Sequence, residues 1–482
     1  MEVQELKGYI SRQLIEQNKI LRLSAYSKDG RKYLKRFFYY RLEKHIRRFL
    51  DAGEPRWVIV PGLRGVGKTT ILAQLYFSYK EKFKGRVLYV SLDEVVGKLR
   101  GDLYGVLDAY EELLGESFHS LTENVLLLVD EVHFDPTWQG ALKSLYDKSR
   151  RVFIIATGSS AIAANRSADA ARRSLVEKIY PLKFTEYIML AESLKGGGST
   201  HFPSKLGNSI WSALFESENA TEVFTGLKNL EKDVQGYWEK VDSYSIERYI
   251  KYYSLPSVLL LSDDTEIYKN LNGMVDRIVE KDLGVVGSFS KAILAQIPSL
   301  LFLVASTDIR SLAQFAKDLR DIDVKTLINI FSALEDAELL LRIYPFSHSA
   351  PKRVRKPSKY LFLASSIRAA LIHLIDSRAV DLRHKGKLLE DTVGMYLCRH
   401  ISNIVGASLS YDASKGGADF IVEVGEKKIA IEVGWNKKDN SQVIKTLKKT
   451  KAHYGLVITN SPLLLKSSDN VATVPLEFFF LL

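Results

Sequence analysis

Residues Gly62 to Thr70 read GLRGVGKTT, a GxxxxGK[ST] pattern entered from the apolar run WVIVP. A strand reading over Trp57 to Val60 and a helical reading over Thr70 to Tyr79 bracket it, and this order commits the chain to an α/β sheet around a phosphate-binding loop. Glycines let bare backbone N–H groups wrap phosphates, Lys68 reaches the β/γ-phosphates, and the Thr69 hydroxyl ligates magnesium. Gly62, Leu63, Arg64, Gly65, Val66, Gly67, Lys68, Thr69 and Thr70 are therefore the candidate ATP-binding segment, with ATP and Mg²⁺ as the expected ligands.

A length of 482 residues suggests about three domains, and 46% hydrophobic residues suffice for packed cores. The 68 Lys+Arg against 57 Asp+Glu give +11, which favours polyanions such as nucleic acid or anionic lipid. Cys398 is the single cysteine, so no internal disulfide forms, and the first residues, MEVQELKGYISRQ, read as a polar helix without an apolar signal region. The expected compartment is reducing and cytoplasmic. No apolar stretch reaches the roughly 18 residues of a membrane span, so LLFLVA and LEFFFLL read as buried elements and no membrane partner is expected.

Beyond the loop, NVLLLVDEVH places an apolar strand, Val125 to Val129, directly before Asp130 and Glu131. An apolar run of this kind is a parallel strand covered on both faces, and its C-terminal end opens where phosphates sit. Asp130 is the candidate second magnesium ligand, and Glu131 the group that polarises the attacking water. A third strand, RVFIIATGSS, ends in hydroxyl residues, of which Ser159 or Thr157 is the candidate contact to the γ-phosphate or water. Strand order makes it a neighbour of the strand before the loop, and RVLYVSLDE adds a further strand to the sheet. The basic, aromatic text RKYLKRFFYYRLEKHIRRFL reads as helix beside the sheet, with adenine or nucleic-acid contacts as its candidate roles.

GLRGVGKTT, LLLVDEVHFDPTWQGALKSLYD, IIATGSSA and YPLKFTEYI together resemble the archaeal and bacterial AAA+ ATPases that carry a C-terminal restriction-endonuclease-like domain. The tryptophan-bearing helix after the acids and the segment Pro181 to Tyr187 are the most specific parts of this resemblance; on physical grounds both read as packing, with Trp138, Leu142 and Leu145 on one helical face. The resemblance implies an arginine supplied in trans, hence a homo-oligomer. Arg172 and Arg173 stand where it places such a residue, and Arg166 is a third contender.

After about residue 190 the strand signal gives way to helical text broken by LKGGGST, which reads as an all-helical lid. From Ala292 onward, Ile309, Leu312, Ala316 and Leu319 keep helical spacing, the turn RDID follows, and Leu327, Ile330, Phe331 and Leu334 form a second amphipathic helix. Two strand-like runs then flank PKRVRK. The outline resembles a winged helix that would lay Lys325, Thr326, Asn329 and Ser332 in a DNA groove and touch phosphates with Lys352, Arg353, Arg355 and Lys356.

The segment GADFIVEVGEKKIAIEVGW reads as two strands around a tight turn. A two-residue turn at Gly425-Glu426 would pair residues whose numbers sum to 851 and set Asp419 opposite Glu432, a four-residue loop would keep both on one face a step diagonal, and only an odd loop would separate them. Like charges about 5 Å apart on one face destabilise a sheet unless a cation lies between them. With Glu390 on the preceding helix, the pair resembles a magnesium-dependent nuclease site, for which the resemblance implies a lysine two residues after Glu432. Gly434 stands there instead. Lys437 or Lys438 is a candidate substitute, and Gln442 lies on the next helix, so cleavage and a non-cleaving binding platform both remain open.

The fold expected is thus an α/β AAA+ core with N-terminal helices (1–190), a helical lid (191–290), a winged helix (291–365) and a restriction-endonuclease-like α/β domain (366–482). The activity expected is ATP hydrolysis coupled to DNA. The alternatives are a nucleotide-controlled switch acting on a protein partner and an ATP-gated DNA nuclease.

Overall fold

The computed structural model describes residues 3–159, 167–196, 204–242, 244–283, 289–307, 309–319, 322–347, 356–374, 384–436 and 440–482. They form two compact units. Of these, the first takes the described residues up to Tyr180 together with 281–283 and 336–338, and the second takes the rest of the described residues.

In the first unit, β1 (Trp57–Pro61), β2 (Val87–Ser91), β3 (Val125–Asp130), β4 (Val152–Gly158) and β5 (Leu175–Val176) pair in the order β2-β3-β4-β1-β5, all parallel. Apolar runs become central strands because helices cover both faces. On one face Trp57, Ile59, Leu127, Val129 and Ile154 pack against α1 (Val3–Ala25), α4 (Leu92–Leu99), α5 (Leu103–Leu114) and α6 (Trp138–Lys148). On the other, Phe153 meets Phe49 of α2 (Phe37–Ala52) at 5.2 Å. The helix after the loop is α3 (Lys68–Tyr79). β4 runs beside β1 in the register Val60↔Thr157, which brings the hydroxyl-bearing strand end to the loop as expected.

The second unit begins with helices Phe184–Leu194, Ser204–Phe215, Ala220–Trp238, Ser245–Lys251 and Asp264–Arg277, the region expected as a lid. Helices Lys291–Ser306, Leu312–Asp318 and Val324–Asp336 follow, then β6 (Leu340–Pro345), β7 (Lys359–Phe362), β8 (Ser408–Tyr411), β9 (Phe420–Val424), β10 (Lys427–Gly434), β11 (Tyr454–Thr459), β12 (Leu464–Lys466) and β13 (Val471–Pro475). These strands form one mixed sheet, β12-β13-β11-β10-β9-β8-β6-β7. Through Tyr344↔Ser410 and Pro345↔Tyr411, the hairpin expected as a wing is continuous with the C-terminal sheet across the expected boundary at residue 365.

One helical face differs from expectation. Ser311 caps the helix Leu312–Asp318 and shares a capping box with Gln314, so Ile309 precedes the helix and is exposed. Phe315, not Ala316, anchors the face, 5.4 Å from Phe331. In the next helix Leu327, Ile330, Phe331 and Leu334 are all buried, as the spacing predicts.

Candidate nucleotide site and a second acidic cluster

The loop turns through Gly65 and Gly67 at φ of 84° and 92°, a region side chains disfavour, and α3 starts at Lys68. At Gly62 a Cβ would lie 2.4 Å from Ile179 Cγ2 and 2.9 Å from the Ile179 carbonyl oxygen, so no larger residue fits. Arg36, buried, donates to the Val66 carbonyl at 2.7 Å and the Tyr180 carbonyl at 3.0 Å. One residue of the basic N-terminal text thus braces the loop by its backbone, a role that local periodicity did not reveal. The Lys68 ammonium donates to the Gly62 carbonyl at 2.8 Å and lies 4.0 Å from Glu131.

Asp130 ends β3, level with Ser91 of β2. It accepts from Thr69 Oγ1 at 2.6 Å, from Tyr89 OH at 3.2 Å and from Thr157 Oγ1. Burial, and then the carboxylate of Asp130, push the Tyr89 phenol well above its ordinary range, so Tyr89 stays a donor. Among the described residues every partner of this buried carboxylate is a neutral hydroxyl, and none is a cation within ion-pair distance. Hydroxyls satisfy lone pairs without cancelling charge, so the set Thr69 and Asp130 fits a bound Mg²⁺.

Glu131 is held at φ 52°, left-handed for a non-glycine residue. Its backbone N–H donates to Thr157 Oγ1 at 3.3 Å, so Thr157 bridges both acids. His133 Nδ1 lies 3.4 Å from Glu131 Oε2 and 3.5 Å from the Ser159 nitrogen. Its Nε2 faces Asp282 Oδ1 at 3.8 Å, and Asp282 pairs with Arg64 of the loop at 3.0 Å. Asp282 lies far along the chain, and no local signal pointed to it. Ser159 Oγ is buried with no hydrogen-bond partner among the described residues, whereas Thr157 is committed to the acids. Of the two expected hydroxyls, Ser159 has the free valence.

Arg172 and Arg173 lie on the short helix Ala168–Arg173. Arg172 pairs with Asp169 at 2.6 Å and Arg173 with Asp147 at 2.8 Å, while Arg166 lies outside the described residues. Trp138 packs edge-on against Trp57 at 6.2 Å, with Leu142 and Leu145 buried beside it. The Pro181 to Tyr187 segment belongs to the second unit, where fully buried Glu186 receives Arg399 at 3.2 Å and the Phe184 N–H donates to Tyr396 OH at 2.6 Å. Lys325 and Asn329 are exposed on the helix Val324–Asp336, and Lys356 is exposed before β7; Lys352, Arg353 and Arg355 lie outside the described residues.

The second acidic cluster follows the predicted register. Lys427↔Val424 through Ile431↔Phe420 all sum to 851, and the next position in that register is Asp419 with Glu432. Glu390, on the helix Lys385–Ile401, is tied to Asp419 through a residue the sequence did not point to. Lys359 of β7 pairs with Glu390 and with Asp419 Oδ1 at 3.1 Å. Burial alone would lower the Lys359 pKa, but Asp419 and Glu390 together raise it above its ordinary value. With its amide nitrogen turned inward, Gln442 donates to Glu432 Oε1 at 3.2 Å. Lys437 and Lys438 lie outside the described residues.

Residues 54–188 match the AAA domain family, and residues 243–378 match a domain of unknown function, DUF8612. Over 465 residues the chain is 36% identical to the uncharacterized protein MJ1637 of Methanocaldococcus jannaschii, spanning 95% of this chain and 91% of that one. An uncharacterized protein of Haemophilus influenzae is 25% identical over 153 residues, 30% of this chain and 36% of its own length. Among solved structures, the Walker-type ATPase PABY2304 of Pyrococcus abyssi aligns at TM-score 0.40 and 11% identity, over 72% of this chain and 97% of that one. The Aeropyrum pernix ORC1 protein, in complex with DNA, aligns at 0.30 and 13%, over 69% and 91%. Among the described residues no helix is long and apolar enough to cross a membrane.

Proposed function

The chain belongs to the family of AAA-domain proteins that includes MJ1637, and on that premise we propose that it binds ATP with Mg²⁺ and hydrolyses it. The observation that carries this reading is the buried Asp130 carboxylate, held by Thr69, Thr157 and Tyr89 hydroxyls and by no cation among the described residues. A bound Mg²⁺ would supply the positive charge that Asp130 lacks and would polarise phosphate oxygens. The backbone of the loop cradles phosphate, and the Lys68 ammonium leaves the Gly62 carbonyl to reach it. Glu131, fixed by its left-handed backbone and by Thr157, orients the attacking water. Ser159 offers its unpartnered hydroxyl to the γ-phosphate or the water.

Arg172 and Arg173 are our candidates for the arginine that a neighbouring copy would receive, on the ground that Arg172 is three-quarters exposed. Coupling to DNA is the second part of the proposal. It draws on the helix–turn–helix outline over 312–336, on exposed Lys325, Asn329 and Lys356, and on the +11 charge. We read the last strands as restriction-endonuclease-like on the strength of the Asp419/Glu432 register and Glu390.

Steady-state hydrolysis with and without single-stranded, duplex and branched DNA tests both parts. Turnover that Lys68→Ala abolishes supports the ATPase, and stimulation by one DNA form supports the coupling. Wild-type turnover in Lys68→Ala would refute the site, and indifference to every DNA would favour a switch acting on a protein partner.

A further inference from the structure

The acidic cluster of the second unit poses a problem of charge that the ATPase reading leaves untouched. Asp419 and Glu390 meet in a mostly buried region, and Gly434 leaves β10 without the basic side chain that the nuclease pattern would place near them. The missing charge arrives from β7. The side chain of Lys359 is only 9% exposed, and its ammonium meets the Glu390 carboxylate, Asp419 Oδ1 at 3.1 Å and the Asp419 carbonyl at 3.2 Å.

We propose that the Lys359 ammonium is the permanent cation of this cluster, standing where a divalent ion would otherwise bind, so that the site takes no Mg²⁺ and cuts no phosphodiester.

Four observations support this assignment. The ammonium donates to two Asp419 oxygens and forms an ion pair with Glu390, so its single charge is held between two acids. The other Asp419 carboxylate oxygen is committed too, accepting the Val433 N–H at 3.0 Å. Glu432 is fully buried, and Gln442 reaches its Oε1 at 3.2 Å with the amide nitrogen turned inward. Among the described residues no three acidic, histidine or cysteine side chains come together closely enough to hold a metal. A metal entering here would have to expel a buried ammonium from its acceptors, with the aromatic ring of Phe420 lying 5.0 Å away. The ammonium thereby clamps β7 to the start of β9 and to the helix Lys385–Ile401.

The test is Mn²⁺ binding to the full chain without nucleotide, followed by the paramagnetic signal of free Mn²⁺. Asp130→Asn serves as background, so that the candidate nucleotide site loses its carboxylate metal ligand. The background protein is expected to show no saturable site, no Mn²⁺-dependent shift in unfolding midpoint, and no scission of plasmid DNA with Mg²⁺ or Mn²⁺. Adding Lys359→Met should create a saturable site, and adding Glu390→Gln to that should weaken it at least tenfold. Saturable binding in the background that Glu390→Gln weakens, or metal-dependent scission that Lys359→Met abolishes, would overturn the proposal and make Lys359 a nuclease residue. A folded Lys359→Met chain that gains no site would overturn it as well. If Lys359→Met does not fold, the background measurements alone decide, because metal binding and scission are both read without it.

Discussion

Asp130 closes β3 and Asp419 immediately precedes β9, each on the sheet of its own unit, yet their surroundings are opposite. Asp130 is held by Thr69, Thr157 and Tyr89, which satisfy its oxygens and leave its charge in place. Asp419 is held by Lys359, which satisfies and neutralises at once. A carboxylate on hydroxyls still attracts a cation from solution, whereas one on an ammonium has no such need. Two acid clusters that look alike as text therefore differ in charge balance, and on the proposals above the first would take a cation and the second would not. Strain follows the same division, since Glu131 beside Asp130 is left-handed while no residue from Asp419 to Glu432 other than Gly425 has a positive φ.

The contrast is most exposed to failure in activity. Lys68→Ala should abolish ATP hydrolysis and Asp130→Asn should lower kcat by about 10³, with the unfolding midpoint at or above that of the wild type, because the hydroxyls never neutralised the charge being removed. A large loss of stability in Asp130→Asn would erase the difference between the sites. The reverse is expected for Asp419→Asn, which should cost about 3 kcal/mol in denaturant unfolding by weakening a mostly buried ion pair, without changing hydrolysis per folded molecule. Hydrolysis falling in proportion would mean that the second cluster serves the first. Thr157→Val removes the hydroxyl that bridges Asp130 and the Glu131 backbone, and a loss of about tenfold in kcat, near 1.4 kcal/mol, is expected with little change in KM.

The smallest effect is in pH. Burial raises Glu390 from 4.5 to about 7, against the opposing pull of Lys359. The folded chain then holds a proton that the unfolded chain has released, so this contribution to stability is full below about 4.5 and is lost as pH rises to about 7. Glu390→Gln should flatten that part of the stability profile, and an unchanged slope would show that Glu390 is ionised throughout.

Much of the first site was legible because its residues lie within a few positions of a strand end or a helix start, where local pattern dictates geometry. Gly62 to Thr70, Asp130, Glu131, Thr157 and Ser159 all come together on adjacent strand ends and the loop. Arg36, Tyr89, His133 and Asp282 were not singled out, since a basic aromatic run, a core tyrosine, a lone histidine and a helix-terminal aspartate carry no distinctive spacing. The face of the helix Leu312–Asp318 was misplaced because Ser311 starts the helix later than apolar spacing alone implies.

The second cluster separates the two kinds of information most clearly. A strand period of two and a two-residue turn were enough to put Asp419 in register with Glu432, since both are local rules of backbone geometry. Lys359 comes from 60 positions before Asp419, on a strand that joins the sheet through β6 and β8. Which side chain fills the gap left by Gly434 depends on how those strands and the helix bearing Glu390 pack, and no local torsional preference encodes that distance. The acids were written in the chain; their cation was decided by the fold.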